Sequence, residues 1–179
     1  EDDEIDIGCA GGIDITAERT YRQIAPEPDS EGFLISIRGL QGGHSGMDIH
    51  KGFGNANKIM NQLLMRLKSD LQLGELRGGS LRNAIPRESF AHVMVERQRT
   101  EELKQNFQTT AMAIKKKMAS IEPDLDLELT GAQPLENVMS PGDLDHLLTT
   151  IDKAHNGVFK MSPEIPDLVE ASNNIAKVV

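Results

Sequence analysis

Apolar and polar residues alternate over 32–40, where Phe33, Ile35 and Ile37 stand against Leu34, Ser36 and Arg38, the period of a half-buried strand. From Asn55 the period changes. Ala56, Ile59, Met60, Leu63, Leu64 and Leu67 share one helical face, with Asn57, Lys58, Asn61 and Lys68 opposite. A short strand is predicted over 73–77 and a longer one over 88–97. In the longer strand Ala91, Val93 and Val95 face one way and Phe90, His92, Met94 and Glu96 the other, which leaves its inner face open. Thr100 reads as the N-cap of a second helix, with Glu101 and Glu102 in the first turn and a stripe of Leu103, Phe107, Ala111, Ile114 and Met118. Leu125, Leu127 and Leu129 then alternate with Asp126, Glu128 and Thr130. The order strand, helix, strand, strand, helix, strand predicts an α+β, two-layer sandwich: an antiparallel sheet with helices on one face, the split βαβ or ferredoxin-like arrangement.

A C-terminal helix-strand extension follows this core. Ser140 as N-cap and Pro141 at the first helical position open a helix carrying Leu144, Leu147, Leu148 and Ile151, which Asn156-Gly157 ends. A strand is predicted over 158–161, a loop over 163–166, and a return to the sheet over 169–179. Upstream, Ile5, Ile7, Ile13 and Ile15 surround Gly8-Cys9-Ala10-Gly11-Gly12 in a connector. The expected division is therefore a connector and first strand over 1–31, a split βαβ core over 32–130, and an extension over 131–179. The first residue is not Met and the last residues read as mid-strand, so the expectation is a domain cut from a longer polypeptide.

Composition narrows the classes. The 179 residues include no Trp, one Tyr and five Phe, so the core rests on aliphatic side chains and no platform of aromatic rings exists for stacking bases. With 19 Lys and Arg against 28 Asp and Glu, the formal charge of −9 repels phosphate backbones and anionic lipid. Nucleic acid and membrane are excluded as expected partners. The single cysteine, Cys9, closes no intramolecular disulfide and reads as a small buried apolar residue of a reducing compartment.

Candidate chemistry gathers in two glycine-bracketed segments. The first, Gly39-Leu40-Gln41-Gly42-Gly43-His44-Ser45-Gly46-Met47-Asp48-Ile49-His50, brings three possible metal ligands within seven residues. No further ligand recurs at a defined spacing, so no metal site is expected within the chain. His44 is either a cap or loop-carbonyl partner, or a donor toward a substrate or transition-state oxygen, since imidazole presents an N–H at neutral pH. Ser45 lacks the Gly-x-Ser-x-Gly elbow of a nucleophile. The second segment, Gly78-Gly79-Ser80-Leu81-Arg82-Asn83-Ala84-Ile85-Pro86-Arg87-Glu88, sets Asn83 on a turn stiffened by Pro86. The Asn83 amide can serve its own turn or a ligand, and Arg82 and Arg87 can grip a carboxylate or stay on the surface.

These two segments, with Gly54-Asn55-Ala56-Asn57 between them, closely resemble the bacterial aminoacyl-histidine dipeptidase (Xaa-His dipeptidase, carnosine-cleaving) branch of the M20 metallopeptidases. Gly8-Cys9-Ala10-Gly11-Gly12 looks like the run with which that family leaves its catalytic domain, and Ser172 and Asn174 resemble its Ser-x-Asn element. The resemblance implies the lid, or dimerisation, domain of a cytoplasmic enzyme whose two zinc ions and general-base glutamate lie outside this segment, so that the segment alone is inactive. It implies His44 as the catalytic donor to an oxyanion and Asn83 as a substrate-orienting amide, with Arg82, Ser172 and Asn174 as further substrate-binding residues. The implied partners are a dipeptide substrate, the catalytic domain of the same or a partner subunit, and a second copy in a homodimer. The rival reading is a self-standing small-molecule-binding or dimerisation module, because this fold serves many functions.

Overall fold

The computed structural model describes residues 11–179. The readings of Cys9, Ile5 and Ile7, and of the first part of the glycine run, lie outside the described residues. In chain order the elements are β1 (Gln23–Ile24), β2 (Ser30–Arg38), β3 (Gly43–His44), α1 (Ala56–Leu67), β4 (Gln72–Gly78), β5 (Ala84–Ile85) and β6 (Ser89–Glu96). Then come α2 (Thr100–Met118), β7 (Asp126–Ala132), β8 (Val138–Met139), α3 (Pro141–Lys153), β9 (Gly157–Met161) and β10 (Val169–Asn173).

Four strands make one sheet in the order β4-β6-β2-β7, every neighbouring pair antiparallel. This is the expected split βαβ topology. β2 lies inside, pairing Ile35 with Ala91 of β6 and with Leu129 of β7. The period of two puts Phe33, Ile35 and Ile37 on the face that the helices cover, against Leu63, Leu64 and Leu67 of α1 and Leu103 and Phe107 of α2. The open question of β6 is settled by burial: Ala91, Val93 and Val95 face the helices, while Phe90 and His92 stay half-exposed on the opposite face. Met94, on that opposite face, is buried beneath the segment after β7, whose Leu135 N–H meets its sulfur at 3.2 Å.

Two expectations change. Thr100 is not an N-cap: its dihedrals are already helical and its backbone N–H bonds to Arg97 O, because the 3-10 turn Arg97–Arg99 leads straight into α2. Its buried hydroxyl lies 3.5 Å from a Glu31 carboxylate oxygen instead. The chain over 169–179 does not rejoin the main sheet as a strand. β10 folds back on β9 as a separate two-stranded sheet, since the Ser162 hydroxyl accepts the Glu164 and Ile165 N–H groups and tightens the intervening turn. Only Val178 reaches the sheet edge, exchanging both backbone hydrogen bonds with Gly78. Gly79 beside it has φ +71, and a Cβ there would fall 1.9 Å from Ala176 O, so glycine is what lets this tail come close.

Candidate functional site

The glycine-rich loop leaves β2 at Gly39 and turns at Gly42, where φ is +67 and a Cβ would strike the Arg87 stem. It then makes a two-residue ladder with the second glycine-bracketed segment: β3 pairs with β5, Gly43 opposite Ile85 and His44 opposite Ala84. One residue further, Ser45 N–H donates to Asn83 O at 2.9 Å. His44 and Asn83, far apart in sequence, therefore sit on neighbouring backbones at one corner. Both are exposed.

The His44 ring is held by its own loop. Its Nδ1 accepts the backbone N–H of Gly46 at 3.1 Å and of Met47 at 3.2 Å. Two donors aimed at Nδ1 leave the ring proton on Nε2. Nε2 has no hydrogen-bond partner among the described residues, and neither has the Asn83 amide. Below the ring, Asp48 Oδ2 accepts the His44 backbone N–H at 2.7 Å while Oδ1 takes the Lys51 ammonium at 2.7 Å. The Lys51 hydrogen bond first, and the His44 backbone N–H second, hold the Asp48 carboxyl below its ordinary value. The corner can thus present one imidazole N–H and one carboxamide to a ligand, with little cationic charge of its own.

The other sequence-derived candidates fall in different places. Arg82 adjoins Asn83, but its guanidinium pairs with Asp14 at 2.5 Å, both side chains largely in water, where such a pair stabilises little. Arg87 Nε donates to Leu40 O at 3.0 Å and braces the start of the loop. Asn174 reaches the corner from the C-terminal side, its Nδ2 donating to Ala84 O at 2.8 Å. Ser172 is exposed on β10, opposite Val158, in the hairpin whose strand β9 packs beside the turn Ile49–Lys51.

Several residues that hold the corner escape the sequence reading. Asn55, buried, caps α1 by accepting the N–H groups of Asn57 and Lys58, while its Nδ2 donates to Asn156 Oδ1 at 2.8 Å and to Asn174 Oδ1 and Ile175 O at 3.1 Å each. It is a hub joining the helix to the C-terminal segment. Lys58 donates to the carbonyls of Ile151, Asp152 and Ala154 at the end of α3. Glu122, also buried, accepts the backbone N–H groups of Gln41 and Gly54. The signals available were faint: an Asn just before a helical stripe for Asn55, and a carboxylate just past a helix C-terminus for Glu122.

The segment that holds this α+β core and both glycine-bracketed stretches has a recognisable class: residues 35–122 match the peptidase dimerisation domain of the M20 family. Among relatives, it is 36% identical to the cytosol non-specific dipeptidase of Escherichia coli (strain K12), over 99% of this chain and 37% of that one. Among solved structures, aminoacylhistidine dipeptidase from Vibrio alginolyticus superposes with a TM-score of 0.84 at 33% identity, covering 88% of this chain and 32% of that one. The chain thus spans about a third of the length of these relatives.

Proposed function

We propose that this segment is the lid of a cytoplasmic, dinuclear zinc dipeptidase acting on Xaa-His dipeptides, and that it works within a homodimer. Support for the substrate class comes from homology to an aminoacylhistidine dipeptidase and to a dipeptidase. The observation that carries the mechanism is the pair of backbone donors on His44 Nδ1, which leaves Nε2–H free as an outward donor.

In this reading His44 Nε2–H meets the oxygen on which charge develops as the peptide carbonyl is attacked. Its orientation is fixed beforehand by the loop, so little reorganisation is needed at that moment. Asn83 offers both a donor and an acceptor to the bound dipeptide one strand away. Closure of the lid excludes water and strengthens both contacts. Asn174 holds the Ala84 carbonyl beside Asn83 and Arg82 flanks it, whereas Ser172 comes from the neighbouring hairpin.

The described residues do not fit the metal pair itself. No three His, Cys, Asp or Glu side chains converge among them, and the loop histidine has Nδ1 engaged by backbone. The reading assigns the zinc ligands to the remaining length of the parent chain.

The test is His44→Ala in the full-length enzyme, assayed with an Xaa-His dipeptide. The expected loss is on the order of a hundredfold in turnover, about 3 kcal/mol of transition-state stabilisation, with the melting temperature nearly unchanged because the ring is exposed. Turnover close to normal would remove His44 from the reaction.

A further inference from the structure

Glu122 stands in the turn that follows α2, at the end of a helix where the macrodipole disfavours negative charge. It is only 2% exposed, and no cationic side chain pairs with it among the described residues. A buried carboxylate in such a place is unfavourable unless its oxygens find donors. They do. Oε2 accepts Gln41 N–H at 2.8 Å and Oε1 accepts Gly54 N–H at 2.7 Å, both charge-assisted bonds. The Gln41 side-chain amide also donates to the neighbouring Ile121 carbonyl. Gln41 and Gly54 are the two ends of the loop that carries His44. Between them the chain includes Gly42, Gly43, Gly46 and Gly52, backbone with much freedom to lose. An apolar residue would fill the space beside Leu40 and Met118 without the desolvation cost, but a carboxylate sets a separate acceptor oxygen against each end of the loop.

We propose that Glu122 is a positioning residue: its buried carboxylate clamps both ends of the glycine-rich loop and thereby fixes where His44 is held for the reaction. The inference rests on the reading of His44 given above. Glu122 acts from beneath the loop, by closing it, and never meets substrate.

The experiment uses Glu122→Gln in the full-length enzyme with alanyl-histidine as substrate, alone and combined with His44→Ala. Gln keeps the shape but has one acceptor oxygen, so one end of the loop is released. The expected result is a fall in kcat of about tenfold or more with KM changed by less than about twofold, because a loosened donor is misplaced in the transition state rather than lost from substrate binding. In the His44→Ala background the same change should lower kcat by less than about twofold, since the group it positions is gone. Amide hydrogen exchange should quicken over 42–53 and stay unchanged in β2 and β6. A folded Glu122→Gln enzyme with kcat near the parent's overturns the proposal, and so does an equal loss in both backgrounds. Normal kcat in His44→Ala alone sinks the reading of His44 and the positioning role with it, a result distinct from the other two. Should Glu122→Gln not fold, Glu122→Asp, which keeps the charge but is one methylene short, is read by the same criteria.

Discussion

Asp48 binds the loop to itself at two points, the His44 backbone N–H and the Lys51 ammonium, and both favour its ionised form. Its carboxyl is therefore a stronger acid in the folded protein than the ordinary 3.8 of an aspartate. For a group with its value lowered on folding, the added stability is complete above the unfolded value and is lost as pH falls through the folded one. The window lies below pH 3.8. Urea midpoints measured across that window should fall more steeply for the parent than for Asp48→Asn, which has no charge to lose; parallel curves would show that Asp48 contributes nothing to the pH response. Asp143 follows the same direction, because the Ser140 hydroxyl first and the Arg22 backbone N–H second hold its carboxyl down. Acid sensitivity thus gathers where a carboxylate pins an otherwise free stretch of chain.

The two helix starts at Asn55 and Ser140 look alike locally and differ in what lies behind them. Ser140 accepts the Asp143 N–H and donates to its carboxylate, a bond pattern confined to one turn. Ser140→Ala should cost about 1 kcal/mol, the usual loss of a cap. Asn55→Asp keeps a cap of equal intrinsic quality, yet it turns an oxygen toward Asn156 Oδ1, Asn174 Oδ1 and Ile175 O in place of the donor they need. Asn156 Oδ1 keeps the Ile175 N–H and Ile175 O keeps the Asn57 amide, but Asn174 Oδ1 is left without its donor, and this with the repulsion should cost roughly 2–3 kcal/mol. Thermal denaturation of both variants checks the order, and a smaller loss for Asn55→Asp would reduce Asn55 to a plain cap. The same contrast explains what the sequence could reveal. The strands β2, β6 and β7 and the stripe of α1 were legible because long runs of one period need only the local pattern and a common core. Neither β3 nor β5 was, since two residues carry no period, and Thr100 misled because the 3-10 turn before it moved the helix start. Apart from the cap itself, the side-chain bonds of Asn55 and Glu122 join residues 68 to 120 positions apart, and no spacing rule reaches that far. His44 and Asn83 could be named from their segments, but that one backbone holds them side by side is a fact of the fold.

At the scale of the molecule, one four-stranded sheet and its helices form a plate with a polar corner, where the glycine-rich loop, β5 and the segment around Asn174 meet. On the proposed reading, this plate brings its histidine N–H and its amide to a reacting centre held by another part of the parent chain. In the proposed homodimer two arrangements would do this: the plate folds over its own catalytic domain, or it crosses to the partner's. Subunit mixing separates them. On the proposed reading a full-length His44→Ala subunit keeps its metal centre, and a subunit with disabled metal ligands keeps its lid; neither homodimer should be active. After equal amounts are dissociated and reassociated, random pairing makes about half the dimers hybrid, each with one competent site if the lid crosses, so that activity should return to about a quarter of the parent level. If the lid closes on its own subunit, every hybrid site lacks either the histidine or the metal and activity stays at the level of the separate variants. We expect the quarter, because the match over 35–122 is to a peptidase dimerisation domain, which favours a lid shared between subunits over one that serves its own subunit alone.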